Sequence, residues 1–189
     1  MKLEQDIERS LAALNAGGLI LYPTDTVWGI GCDATNASAV AKIYELKKRH
    51  DGKSMIVLLA DEKDITSYVT QPDPRIYDYI KGIQKPTTFI YEGGVNLAEN
   101  MIQDDGTVAI RITSDRFCRQ LLKRFGKPLV STSANISGYP PPAIFQDIDV
   151  EIKSGVDYVV QHRQDDTTES TPSAIVKWNA DGSLTIIRS

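Results

Sequence analysis

Several side chains in this 189-residue chain could act on a charged substrate. Lys47 and Arg49 close a stretch with helical spacing, next to a loop. Arginine presents a planar fork and lysine a point charge, so the pair suits phosphates. The same cations at a helix C-terminus also complement its macrodipole, worth about 0.3–1 kcal/mol. Arg111 stands among alternating apolar residues. On a strand with one covered face, its guanidinium must reach water or meet an anion, because unpaired burial is costly. Ser131, Thr132, Ser133 and Asn135 put four polar side chains within five positions. They can form Ser/Thr and Asx turns, or orient a polar ligand without adding charge. Thr24, Asp25 and Thr26 follow the apolar run Leu19–Tyr22 and Pro23, just before Val27 and Trp28. A strand emptying into such a cluster is either a ligand floor or a turn that caps the strand. The residues alone leave each of these pairs of readings open.

What is missing narrows the chemistry. The histidines are His50 and His162, and no Ser-His-Asp, Cys-His or metal-ligand set is apparent. Cys32 and Cys118 sit in apolar surroundings without metal spacing and read as small buried residues. The inventory favours holding two polar reactants over activating a protein nucleophile. Cations for phosphates and hydroxyls for a small zwitterion suit nucleotidyl transfer by positioning and charge stabilisation.

Two glycine motifs mislead. Residues 29–34 fit G-x-G-x-x-A, the dinucleotide fingerprint. That fingerprint needs its glycines to open a helix, and here the helix is expected to start downstream, at Ser38. Gly52-Lys53-Ser54 resembles the end of a P-loop, but position 47 is lysine rather than the first glycine. A helix leads in and a strand leads out, so no helix N-terminus would face the phosphates.

The elements that must position these groups follow from periodicity. Leu3, Ile7, Leu11 and Leu14 predict a helix stopped at Gly17-Gly18, and residues 19–22 a buried strand. A helix capped by Ser38 runs to His50, Asp51-Gly52 breaks it, and Met55–Leu59 forms a second strand. Arg75–Lys81 predicts a short helix and Thr87–Tyr91 a strand. Over Gly106–Thr113, Val108, Ile110 and Ile112 alternate with Thr107, Ala109 and Arg111. Asp115 caps a helix with Cys118, Leu121, Leu122 and Phe125 inward, closed by Gly126. A short strand, Leu129–Ser131, leads into the polar loop from Ser131 to Pro142. A helix over Phe145–Lys153, a strand at Tyr158–Gln161 and a polar surface loop over Gln164–Thr171 follow. A hairpin at Asp181-Gly182 joins Ser173–Trp178 to Leu184–Arg188. Helix–strand alternation with a terminal antiparallel hairpin predicts an α/β layer arrangement on a mixed sheet.

Composition sets outer limits. Hydrophobic residues at 41% and charged residues at 24% are ordinary globular values. No run approaches the ~18 apolar residues of a membrane span, and the first ten residues lack a signal-peptide core, so a cytoplasmic protein is expected. A net charge of −4 disfavours non-specific nucleic-acid binding by the whole surface, though not by a local basic patch.

Together, in order and spacing, the motifs resemble the YrdC family, the threonylcarbamoyl-AMP synthases, in its short single-domain bacterial form. The carrying stretches are residues 22–32, the K-x-R of Lys47 and Arg49, residues 108–113 around Arg111, the S-x-N of Ser133 and Asn135, residues 172–176, and residues 186–189. The resemblance implies one domain over residues 1–189, a twisted open mixed α/β sheet with flanking helices around a concave basic site. It implies that L-threonine, bicarbonate or CO₂, and ATP give threonylcarbamoyl-AMP and pyrophosphate, with Mg²⁺ carried by the ATP and no tightly bound cofactor. Partner proteins would use the product to modify tRNA adenosine beside the anticodon. Residue by residue, the resemblance makes Lys47 and Arg49 catalytic and joins them to Ser133 and Asn135 around the ATP phosphates. Thr107 and Arg188 would contact the nucleotide. Thr24, Arg111, Ser131 and Ser173 would hold L-threonine, Arg111 gripping the carboxylate. Ser170 competes with Ser173 for the later serine position. Leu58 stands where some longer relatives carry a histidine, and the 164–172 loop is expected to help cover the site. Two other readings share the fold: a module binding tRNA or double-stranded RNA without synthesis, and a carbamoyl-transferase-like domain of hydrogenase maturation. The latter normally lies in a longer chain with zinc-finger cysteines.

Overall fold

The computed structural model describes residues 2–50 and 55–189. The break expected at Asp51-Gly52 and the P-loop-like Gly52-Lys53-Ser54 lie outside those residues. Helix α1 (Lys2–Asn15) buries Ile7 and Leu14, and Gly17, at φ +71°, turns the chain out of it. Strand β1 (Ile20–Tyr22) is wholly buried. The chain then doubles back as β2 (Gly29–Gly31), antiparallel to β1 with Tyr22 opposite Gly29. The fingerprint-like glycines therefore lie in a strand and open no helix. Gly31 shows why glycine is required there. A Cβ would lie 2.6 Å from the Tyr22 ring and 2.7 Å from the Val130 carbonyl oxygen. The carbonyl belongs to the neighbouring strand and cannot swing away. Gly31→Ala is expected to cost about 1–3 kcal/mol as an overpacked site, read as a lower urea midpoint at unchanged slope.

Helix α2 (Ala37–Leu46) is capped by Asn36, whose side chain accepts from the Ala39 N–H. This corrects the expected start at Ser38 by two residues: Asn36 holds the extended conformation a cap needs. Strand β3 (Ile56–Leu59), a 3₁₀ turn at Glu62–Ser67, helix α3 (Arg75–Gly82) and strand β4 (Thr87–Tyr91) follow. After a 3₁₀ turn at Glu99–Met101 comes β5 (Val108–Ile112). Helix α4 (Arg116–Phe125) begins at Asp115, which accepts from the Cys118 N–H, and ends at left-handed Gly126; it packs against α1. Strand β6 (Leu129–Ser133) runs two residues beyond expectation, because Thr132 and Ser133 pair with Ile30 and Gly29. The helix expected over Phe145–Lys153 is broken. A 3₁₀ turn at Phe145–Asp147 gives way to α5 (Val150–Ser154), where Asp149 caps a new start by accepting from Glu151 N–H. Strand β7 (Tyr158–Val159) and the hairpin β8 (Ala174–Trp178) and β9 (Leu184–Arg188) complete the chain.

The nine strands form one mixed sheet in the order β7-β1-β2-β6-β3-β5-β4-β8-β9. Pairs β7/β1, β3/β5 and β4/β8 are parallel and the other five antiparallel. Two features of register build the site. First, Leu58, Arg111, Thr88, Ile175 and Arg188 stand directly opposite one another on β3, β5, β4, β8 and β9. Directly paired residues share a face, so this lateral row aligns two arginines far apart in sequence. Second, β6 pairs with β3 only from Leu129 to Ser131, while Thr132 and Ser133 continue along β2. The hydroxyls thus run past the start of β3. Among the described residues, no helix is long and apolar enough to cross a membrane.

Candidate active site

A cavity of about 250 Å³ opens over the face that carries the arginine row. Arg49, Arg111 and Arg188 line it, with Ser131, Thr132, Ser133 and Ser173. Thr26, Val27 and Gly29 supply the β1–β2 side, Met55 and Ile56 the start of β3, and Pro141 and Pro172 also reach it. The hollow is roomy enough for a small polar substrate such as an amino acid.

Arg111 is 3% exposed, and neither its Nε nor its Nη2 has a hydrogen-bond partner. Its ion-pair partner is Asp25, whose Oδ1 lies 3.5 Å from Nη2. Burying a guanidinium favours an acceptor beside it, which makes Arg111 a candidate anion-binding group. Arg188 donates through Nε and Nη2 to the Ser173 carbonyl, at 2.9 and 2.7 Å. Burial and the Arg111 charge both push its pKa below the ordinary value. The two guanidiniums therefore feel each other, and an anion between them relieves that repulsion.

Lys47 lies beneath this wall rather than in it. Its Nζ donates to the carbonyls of Ser133 and Asn135, at 2.5 and 2.7 Å, while its own carbonyl accepts from the Ser137 N–H at 2.8 Å. The residue is 2% exposed. Burial first, and the Arg49 charge second, push its pKa down to about 7. The S-x-N segment is thus held by its backbone. The Asn135 side chain faces a neighbouring groove with Lys48 and Tyr139, its Nδ2 donating to the Tyr139 carbonyl at 2.8 Å.

The other expected residues divide. Ser131 and Ser133 are on the wall. Ser173 is too, and its Oγ lies 2.8 Å from that of Thr88. Ser170 instead donates to the Ala143 carbonyl at 3.3 Å, so Ser173 is the serine that faces the cavity. Thr24 is turned away: its hydroxyl donates to the Val27 carbonyl at 2.8 Å and accepts from the Thr26 N–H at 3.0 Å. It closes the turn that sets Thr26 on the wall, so the two readings of this stretch hold for different residues. Trp28 is buried against Phe145, centroids 4.8 Å apart, and belongs to the core. Thr107 shares the Arg111 face by alternation but lies outside the cavity, its hydroxyl donating to Asp105 at 2.7 Å. Leu58 is fully buried in the Arg111 row. Pro172 and Ser173, at the end of the 164–172 loop, reach the wall.

Sequence reasoning missed Thr88, which is fully buried in the arginine row and fixes Ser173. Alternation puts Thr88 on one face of β4, but only the β4–β5 register places it beside Arg111. Met55, Ile56, Pro141 and Pro172 were also missed as wall residues; none carries a chemical signal.

Comparisons with known proteins agree with this architecture. The Sua5/YciO/YrdC family model, described as "Telomere recombination", matches residues 12–189. A protein of Stenotrophomonas maltophilia (strain K279a) named threonylcarbamoyl-AMP synthase is 31% identical over 172 residues, 89% of this chain and 92% of that protein. Among solved structures, P. abyssi Sua5 complexed with L-threonine superposes with a TM-score of 0.86 at 20% identity, covering 98% of this chain and 54% of that one. This chain therefore spans about half the length of that Sua5. E. coli YciO superposes at 0.84 with 20% identity, covering 98% of this chain and 89% of its own. A family match over nearly the whole chain, joined to a relative matched almost end to end, places the protein: the chain belongs to the Sua5/YciO/YrdC family.

Proposed function

We propose that this chain is a threonylcarbamoyl-AMP synthase, an adenylyl-transferring enzyme acting on L-threonine, bicarbonate or CO₂, and ATP. The observation that carries this reading is the convergence of Arg49, Arg111 and Arg188 with the hydroxyls of Ser131, Thr132 and Ser133 on one cavity. Its support is the name shared by relatives 31% and 34% identical over 89% and 72% of the chain.

Arg111 takes the amino-acid carboxylate, because its guanidinium is buried and its strand sets it on the cavity wall. Ser131 and Ser173 flank that end, with Thr24 acting through the turn that places Thr26. The threonine amine, as the free base, attacks the carbon of CO₂ and gives a carbamate with release of a proton; from bicarbonate, water leaves instead. A carbamate oxygen then attacks the α-phosphorus of ATP in line, and the bond to the β-phosphate oxygen breaks to release pyrophosphate. Arg49 offsets the charge that gathers on the phosphates in the transition state. Lys47 supports this from below, through the Ser133–Asn135 backbone, and Arg188 faces the nucleotide. Mg²⁺ enters with ATP, held by phosphate oxygens and water. The product would pass to tRNA-modifying proteins in the cytoplasm.

The decisive experiment mixes purified protein with ATP and bicarbonate, with and without L-threonine. Pyrophosphate release should require L-threonine, and mass spectrometry should detect the mixed anhydride of AMP and threonine carbamate. Release that is absent, or indifferent to the amino acid, refutes the assignment. Calorimetry with serine and alanine in place of threonine reads the selectivity of the Arg111 end.

A further inference from the structure

Beside Arg111 stands a carboxylate to which the reaction above gives no role. Asp25 lies in the turn after β1, and its side chain is 9% exposed. Its Oδ2 accepts from the Ser114 N–H at 3.1 Å and lies 3.5 Å from the Ser114 hydroxyl. Ser114 lies two residues past the end of β5, so this bond ties the β1–β2 turn to the end of the strand that carries Arg111. Oδ1 is buried without a hydrogen-bond partner and faces Arg111 Nη2 at 3.5 Å.

We propose that Asp25 is a positioning residue for the amino-acid end of the site, holding the Arg111 guanidinium in the orientation that presents its remaining donors to the substrate carboxylate. Three observations converge on this. Arg111 is buried on a strand, yet two of its nitrogens make no hydrogen bond, so the residues around it leave its fork under-determined. Asp25 is itself held through Ser114, so it can act as a fixed counter-charge. Finally, Arg111 and Arg188 occupy one row of the sheet, and the Arg111 charge helps push the Arg188 pKa down. A carboxylate behind Arg111 counterbalances that like charge. Asp25 keeps Arg111 in place until a substrate anion arrives on the open side. The inference rests on reading Arg111 as the carboxylate-binding group.

Asp25→Asn is the sharp test, because it keeps the shape and removes the charge. An asparagine that accepts from Ser114 with its oxygen must turn its NH₂ toward Arg111, setting donor against donor. The expected result is an L-threonine dissociation constant raised on the order of tenfold. ATP affinity should stay within about twofold and turnover at saturating threonine within about threefold. Nitrogen-15 spectra of the Arg111 guanidinium read the orientation directly. Distinct, slowly exchanging Nη signals in the wild type should merge in Asp25→Asn, and Asp25→Glu should restore part of the separation. Unchanged spectra with unchanged threonine affinity overturn the proposal, as do equal losses for threonine and ATP. Should the wild type fail to bind L-threonine, the functional reading falls, while the guanidinium spectra still decide the role of Asp25. If Asp25→Asn does not fold, Asp25→Ser answers the same two measurements.

Discussion

Arg49→Ala is expected to slow pyrophosphate release on the order of a thousandfold while leaving L-threonine affinity close to wild type. Arg111→Ala should do the reverse, raising the threonine KM about a hundredfold or more with a smaller effect on turnover under saturation. The split follows from where each guanidinium sits. Arg49 lies two residues beyond the buried Lys47 and lines the cavity together with Ser131–Ser133. On the proposed reading it serves the phosphates, whose charge redistributes during transfer, so its contribution would be larger in the transition state than in the bound ground state. Arg111 is anchored on β5 in the row with Thr88 and Arg188, with buried, unused donors. A carboxylate does not change charge during the reaction, so on the proposed reading the grip of Arg111 would be uniform binding and would appear in KM. Initial rates over a matrix of threonine and ATP concentrations separate the two effects. Similar KM and kcat changes in both variants would show that the two guanidiniums serve one ligand, and the assignment of separate ends would fail.

Much of the frame of this site is readable from residue types, because the signals there are local. Asp115 and Gly126 bracket α4 as a capping carboxylate and a left-handed glycine must, and alternation over 106–113 puts Arg111 on the face of Thr107 and Ala109. The misses have physical causes. Strand β2 is three residues of Gly-Ile-Gly, too short to show alternation, and it is held by its neighbours Tyr22 and Val130 more than by its own propensity. Register across β5, β4, β8 and β9 is non-local, so the meeting of Arg111 with Arg188, and of Thr88 with Ser173, carries no signature in any one stretch. The break in the helix expected over 145–153 turns on Asp149 preferring to cap a new start rather than sit mid-helix. Lys47 shows a further limit. Its partners are the carbonyls of Ser133 and Asn135, and every residue type has a carbonyl. A motif read as two side chains serves Lys47 through its backbone.

That backbone bond makes Lys47→Met the second large-effect variant, with a signature opposite to that of Arg49→Ala. Methionine fills the space but donates nothing, leaving the partly buried Ser133 and Asn135 carbonyls without their donor. The expected loss is about 2–4 kcal/mol of stability, accompanied by loss of activity as residues 133–137 come away from α2. Thermal melting should therefore fall with activity in Lys47→Met and hold in Arg49→Ala. The pH dependence gives an independent reading. In the folded chain Lys47 titrates near 7, and when unfolded near its ordinary 10.5. Between those values the unfolded state holds a proton that the folded state has released, so this residue makes stability rise with pH across the interval. Below about pH 7 its ammonium is charged in both states, and the full burial penalty is present. A neutral amine still has two hydrogens, one for each carbonyl, so deprotonation keeps both bonds. A bound triphosphate favours the charged form and lifts the Lys47 pKa, so ATP binding near pH 8 should take up close to one proton. Calorimetric titrations in buffers of different ionisation enthalpy measure that uptake. Its absence in the wild type, or its persistence in Lys47→Met, would show that the Lys47 amine does not sense the nucleotide through the cavity wall.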